Sequence, residues 1–200
     1  MTQKVAGSSA SFRNDVAPPR NGTMPLGMDE TDDMRPWEGG WSVIARVGDR
    51  RLVFPAAEVS SVLPVPPLWR PPTSPKPVVG FLPVASEAMP VLHAALLLGL
   101  PEPERPDFYA HILVLPALGG AGGGLLVDRA EETVMIAAEA IAPLDPADTL
   151  NGCAIALADT GHGLVPVLSV ARLLATAETA ALAELTDLAS RRLAAWEVPA

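Results

Sequence analysis

Cysteine is almost absent from this chain. Cys153 is the only one, so no disulfide can close within the chain and no zinc set built on paired cysteines can be completed. Positive charge is also scarce, with 14 Lys and Arg against 23 Asp and Glu, a net charge of -9 and a pI near 4.7. Phosphate backbones are bound by faces dense in Lys and Arg, so DNA and RNA are excluded as partners. Long hydrophobic runs are missing too. The most apolar window, Met89 to Leu100, contains Pro90 and His93 and falls well short of the ~20 residues that a bilayer crossing needs. The first twenty residues hold no apolar core of the kind a secretory signal requires. A cytoplasmic chain with no membrane insertion is expected.

Catalytic and metal-binding patterns are equally lacking. No serine sits in a G-x-S-x-G elbow, and His93, His111 and His162 form neither H-x-x-x-H nor H-E-x-x-H. The run GGAGGG from Gly119 to Gly124 is not followed by the Lys-Ser/Thr of a phosphate loop and reads as a hairpin turn. Glu131 and Glu132 are neighbours on an expected strand and point to opposite faces, so they cannot share a proton. His162, in TGHG, fits an exposed loop tip. Cys153 reads as a small buried hydrophobe. No catalytic residue, cofactor or metal is expected, and an enzyme is disfavoured.

What remains is apolar and segmented. Of 200 residues 49% are hydrophobic, enough to bury one ordinary core or two small ones. Residues 1–38 are rich in Ser, Gly, Pro, Asp and Asn without periodicity, and are expected to be a disordered tail. Between 39 and 176 the apolar residues come in short runs rich in Val, Leu and Ile, separated by turn signals. Ten strands are expected there: Ser42 to Val47, Arg51 to Phe54, Ser61 to Val65, Val79 to Val84, Ala88 to Leu92, His111 to Leu115, Gly124 to Val127, Glu132 to Ile136, Cys153 to Ala158 and Leu164 to Val167. So many short strands suggest barrels or a sandwich. The stretch after Val167 has no Gly or Pro until near the end and is dominated by Ala, Leu, Glu and Arg. Leu182, Leu185, Ala189, Leu193 and Trp196 share one face at spacings of three and four, so residues 177–200 are expected to form an amphipathic helix packed on the body.

The order of these segments resembles the CheW-like domain family, the small scaffold domains that couple bacterial chemoreceptors to a histidine kinase. The resemblance runs from about Trp41 to Leu174. Gly80 matches the glycine that opens the strand before the family's N-L-R-G turn. Pro90-Val91 matches the P-V that follows, and Leu98-Gly99-Leu100 the closing L-G-L. Gly124 to Arg129, GLLVDR, resembles the G-x-x-V-D signature. Ile141 to Pro146 resembles the apolar-proline segment between the barrels, Asn151-Gly152 the turn after it, and Leu164 to Leu174 the last strand and helix of the first barrel. The resemblance implies a mainly β fold of two five-stranded barrels side by side, with short helices. His93 stands where relatives place an aspartate at a strand-to-helix junction, which implies packing and capping for it.

Three departures accompany the matches. In place of N-L-R-G the chain reads Pro83-Val84-Ala85-Ser86, in place of the family's acid it has Ser61, and the third is His93 itself. The family's arginine and acid pair, so both partners are missing together, as the cost of leaving one buried charge unpaired would favour. By resemblance the partner-binding residues are Val59, Ser61, Val62, Val84, Ala85 and Ser86. The implied role is a non-catalytic adaptor between a chemoreceptor's cytoplasmic hairpin tip and the regulatory domain of a chemosensory histidine kinase. The alternative is a divergent CheW-like module recruited to another signalling pathway through its acidic tail or C-terminal helix.

Overall fold

The computed structural model describes residues 37–72, 74–84, 87–101, 109–145 and 149–196. Residues 1–36 of the expected tail, and Ala85 and Ser86, lie outside the described residues. The strands are β1 (Gly40–Val47), β2 (Arg50–Pro55), β3 (Ser61–Pro64), β4 (Val78–Val84), β5 (Glu87–His93), β6 (His111–Leu115), β7 (Gly123–Val127), β8 (Arg129–Ile136), β9 (Ile141–Ala142), β10 (Ala154–Asp159) and β11 (Leu164–Leu168). All ten expected strands are present, and β9 is the one the sequence pattern missed. At two residues it is too short to show any alternation.

The strands form a six-stranded sheet in the order β8-β1-β2-β11-β10-β9 and a five-stranded sheet in the order β3-β6-β7-β5-β4. Six and five replace the expected five and five. The chain also does not complete one sheet before starting the other. It lays β1 and β2 in the six-stranded sheet, builds β3 to β7 in the five-stranded one, and returns for β8 to β11. Of Ile141 to Pro146, Ile141 and Ala142 form the end strand β9, paired with β10, and Pro146 lies outside the described residues. Each sheet has one parallel pairing, β2 with β11 through Val53 and Val167, and β5 with β7 through Val91 and Gly124.

Alternation along β1 and β2 explains how the core divides. Successive strand residues point to opposite faces. Val43, Ala45, Val47, Leu52 and Phe54 join the larger apolar cluster, which reaches into the five-stranded sheet through Phe81, Leu92, Leu113 and Leu125. Ile44 and Val53 point the other way, into a smaller cluster with Ile136, Ala156, Ala158, Val165 and Val167. Trp37 packs against this second cluster, so the folded body includes at least one residue assigned to the tail.

Turn chemistry fixes the ends of these strands. Gly48 (φ 63°) turns the β1–β2 hairpin, and its N–H donates to a carboxylate oxygen of Asp128. Asp128 in turn donates its own N–H to the Arg46 carbonyl at 2.9 Å. The aspartate of GLLVDR is thus a brace between the end of β7 and the first hairpin. The glycine run makes the β6–β7 turn as expected, with a short 3-10 turn at Leu118–Gly120.

Two α-helices complete the body. α1 (Ala94–Leu97) starts at His93, which occupies the N-cap position without a side-chain cap hydrogen bond. The junction is where the sequence placed it, but the imidazole does not cap. α2 (Thr176–Trp196) begins with Glu178 reaching back to accept the Ala175 N–H at 2.8 Å, half of a capping box. It lies against β5 and the β6–β7 turn, burying Leu182 and Ala189, with Leu185 and Leu193 partly covered. The Trp196 side chain lies outside the described residues.

Candidate partner-binding surface

Of the residues singled out from the sequence, Val59, Ser61, Val62 and Val84 are described, and Ser61, Val62 and Val84 lie on the two end strands of the five-stranded sheet. A 3-10 turn at Ala56–Glu58 leads out of β2. Val59 closes it with an N–H to the Ala56 carbonyl at 3.2 Å and packs partly buried against the larger core. From there the chain enters β3, whose register is Ser61 with Val114, Val62 with Leu113, Leu63 with Ile112 and Pro64 with His111. β3 has β6 on one side and no further strand on the other in the sheet order. Its side chains are largely open: Ser61 and Pro64 are exposed, and Val62 is 39% exposed.

Val84 ends β4 and is 49% exposed. Its register partner is Glu87, the first residue of β5, so the pair flanks Ala85 and Ser86. β3 and β4 stand at opposite ends of the five-stranded order, and no ladder joins Ser61 to the β4–β5 hairpin. Val84 and Glu87 line a cleft of about 590 Å³, and so does Val114, the register partner of Ser61.

The opposite wall of this cleft is α2, through Leu182, Ala183, Thr186, Asp187 and Ser190. Sequence reasoning missed the polar positions among them, Thr186, Asp187 and Ser190. The 3.6-residue period gave the buried face of the helix, but nothing in the sequence indicated which strand that face would meet. The contact is specific: the Ser190 hydroxyl oxygen accepts the Ala88 N–H at 3.0 Å.

Charged groups elsewhere brace the fold. In the β1–β8 pairing Ile44 faces Glu132 and Ala45 faces Ala130, which leaves Glu131 as the extra residue of a bulge. A bulge re-aims the side chain it carries. Glu131 accepts from Arg51 Nε at 2.7 Å and lies 3.7 Å from Arg46 Nε, while Glu132 is exposed. Glu58 accepts the Val170 N–H at 2.9 Å, tying the turn before β3 to the turn after β11. These carboxylates are held apart in structural pairings.

The remaining candidates have structural surroundings too. His111 accepts the Ala130 N–H at Nδ1, 3.3 Å away, and His162 is exposed in the β10–β11 turn. Cys153 is buried, and its thiol donates to the Arg172 carbonyl at 3.3 Å. Burial pushes its pKa up, with the Glu178 charge adding to the rise and Arg172 opposing it. A thiol so placed is a poor nucleophile. Among the described residues, no group of three or more His, Cys, Asp or Glu is placed to hold a metal. No described helix is long and apolar enough to cross a membrane.

The described residues thus form two mixed sheets with an end strand, β3, that carries the exposed Val62. The model of the CheW-like domain matches residues 42–178, more than half of the chain, and the protein belongs to that family of non-catalytic scaffold modules of chemotaxis signalling. A solved structure with the same fold is the scaffolding protein TtCheW from Thermoanaerobacter tengcongensis. It has 18% identity and a TM-score of 0.61, with 68% of this chain and 92% of that one covered. No curated protein matches the chain.

Proposed function

We propose that this protein is a non-catalytic cytoplasmic adaptor that couples chemoreceptors to a chemosensory histidine kinase. The observation that carries the reading is the family match over residues 42–178, which takes in both sheets from β1 to β11. Among the described residues no further strand lies beside β3, which supports it, because a strand edge with exposed aliphatic side chains is suited to pairing with another protein. On this reading Val59, Ser61, Val62, Val84, Ala85 and Ser86 contribute to partner contacts. The receptor's hairpin tip and the kinase's regulatory domain are the two partners.

The test is a titration of the purified full chain with the cytoplasmic fragment of a receptor and, separately, with the kinase regulatory domain from the same cell. Saturable binding to both, with receptor control of the kinase restored by the chain, supports the adaptor role. Binding to neither would sink it. Ser61 and the Ala85 position, where the family carries its acid and arginine, favour a second reading, a CheW-like module serving another pathway. That reading predicts retained binding to a different signalling protein and none to the chemosensory pair.

A further inference from the structure

The family match ends at residue 178, in the first turn of α2, yet the helix continues to Trp196. Residues beyond the match form one wall of the 590 Å³ cleft described above. Lining residues run along α2 from Leu182 to Ser190, a length of about 12 Å at ~1.5 Å per residue. The facing wall includes the β6–β7 turn, where Gly119 and Gly122 present no side chain beside Leu118 and Ala121. Val84 and Met89 supply apolar surface, and Pro90 and Leu118 are buried beside them. Among the lining residues Glu87 and Asp187 are the charged ones. Both are exposed, and both are acidic.

We propose that the cleft between α2 and β5 is a docking groove for an amphipathic, positively charged helix of a protein partner. Its length accommodates two turns of helix at ~5.4 Å each. An apolar channel suits the aliphatic stripe of such a helix, which is how helices are held in grooves generally. The two rim carboxylates set the charge of the occupant, since like-charged flanks would be repelled and Lys or Arg flanks attracted. α2 thereby has two functions: its buried face completes the core, and its polar edge selects what enters beside it. The scaffold reading enters only in supplying a protein partner. Because the probe below is synthetic, failure of the receptor and kinase titrations and failure of the groove are separate results.

The probe is an amphipathic Leu/Lys peptide of about 14 residues, long enough to form helix on binding, compared with the same peptide carrying Glu in place of Lys. It is titrated into the full chain, with binding followed by anisotropy and by backbone amide shifts. The Lys peptide is expected to bind saturably, with shifts at Ala88, Thr186 and Ser190, and the Glu peptide is expected not to bind. The double variant Glu87→Gln/Asp187→Asn should weaken binding by about three- to tenfold, the scale of two exposed charge pairs. Glu132→Gln, which removes an exposed carboxylate on the other sheet, should change it by less than about twofold. Ala183→Phe, which fills the groove without changing charge, should abolish binding while the melting temperature holds. Equal weakening by Glu132→Gln, shifts spread evenly over the surface, or unchanged binding to Ala183→Phe would each overturn the proposal.

Discussion

Ser190 accepts the Ala88 backbone N–H at 3.0 Å across 102 positions of sequence, and this bond shows how the C-terminal helix is incorporated into the fold. β7 pairs with β5 only from Val91 to His93, so the first half of β5 lacks a strand on that side. A buried or half-buried N–H without an acceptor costs free energy, and α2 supplies the acceptor. Ser190→Ala is expected to lower stability by about 1 kcal/mol. Leu182→Ala should cost about 2 to 4 kcal/mol, because Leu182 is 6% exposed and its removal leaves a cavity over the β6–β7 turn. Truncation after Leu174 removes both and should lower the melting temperature. An unchanged melt for the truncated chain would show that the helix does not stabilise the body.

The family-matched glycines test close approach rather than turn geometry. A Cβ on Gly124 would lie 2.6 Å from Ile112 Cγ2 and 3.3 Å from Val91 Cγ2, and one on Gly80 would lie 2.9 Å from Leu68 Cβ and 3.0 Å from the Trp69 carbonyl oxygen. The Gly80 contact arises because Trp69 and Phe81 exchange backbone hydrogen bonds at 3.0 and 2.7 Å, bringing the proline-rich loop against β4. Gly124→Ala and Gly80→Ala should each destabilise by about 1 to 3 kcal/mol, the cost of overpacking a filled site. Denaturant titration gives the values. A loss below ~0.5 kcal/mol in either would mean that the neighbouring chains yield at little cost.

Much of the fold was legible because local chemistry and global arrangement agree. Alternating Val, Leu and Ile runs bounded by Gly and Pro give strands, and each expected strand is found within a few residues. The glycine run gives the β6–β7 turn for the same reason. The sheet partners were not legible, since an alternating run states which face is apolar and not which strand lies beside it. Hence the segment expected as the last strand of the first barrel, β11, lies between β2 and β10 in the six-stranded sheet. Asp128 was recognisable only as part of a motif. Its work, accepting the Gly48 N–H, needs the two segments to be adjacent, which spacing alone does not reveal. His93 was placed at the right junction, but its capping depended on a side-chain direction that sequence does not set. The proposed partner-binding residues were legible only as family positions. That Val84 lines a cleft depends on α2, whose docking strand the sequence leaves open.

Cys153 gives the chain a pH dependence on the alkaline side. Burial raises its pKa above the usual value of 9.0, and the Glu178 charge reinforces the rise, so the folded chain holds the thiol proton more tightly than the unfolded chain. The resulting contribution to stability is complete below that usual value and is lost as pH rises through the higher folded one. Denaturation midpoints of the wild-type chain should therefore fall from about pH 9 upward, and Cys153→Ala should show a shallower fall from a lower starting stability. Thiol reagents at neutral pH should modify Cys153 only as fast as the chain opens. Rapid modification of the folded chain would contradict the burial.

Ser61 and Ala85, which the resemblance sets against the family's acid and arginine, lend themselves to a double-substitution cycle. Ser61 is exposed, so Ser61→Glu alone should change stability by no more than ~0.5 kcal/mol, as exposed substitutions generally do. Ala85→Arg alone adds a cation near Glu87, itself exposed, and its effect on stability should be similarly small. If the two positions face one partner-binding surface, the double variant should bind the receptor fragment or kinase regulatory domain more tightly than the sum of the single changes predicts. The expected coupling is about 0.5 to 1 kcal/mol, the range for contacting but solvated charges. Binding that is additive within ~0.3 kcal/mol would place the two positions on separate surfaces. In that outcome the chain's adaptor contacts would have to run through the open edge of β3 without the β4–β5 hairpin, and substitution of Val62 by Glu would then weaken binding while substitution of Val84 by Glu would leave it unchanged.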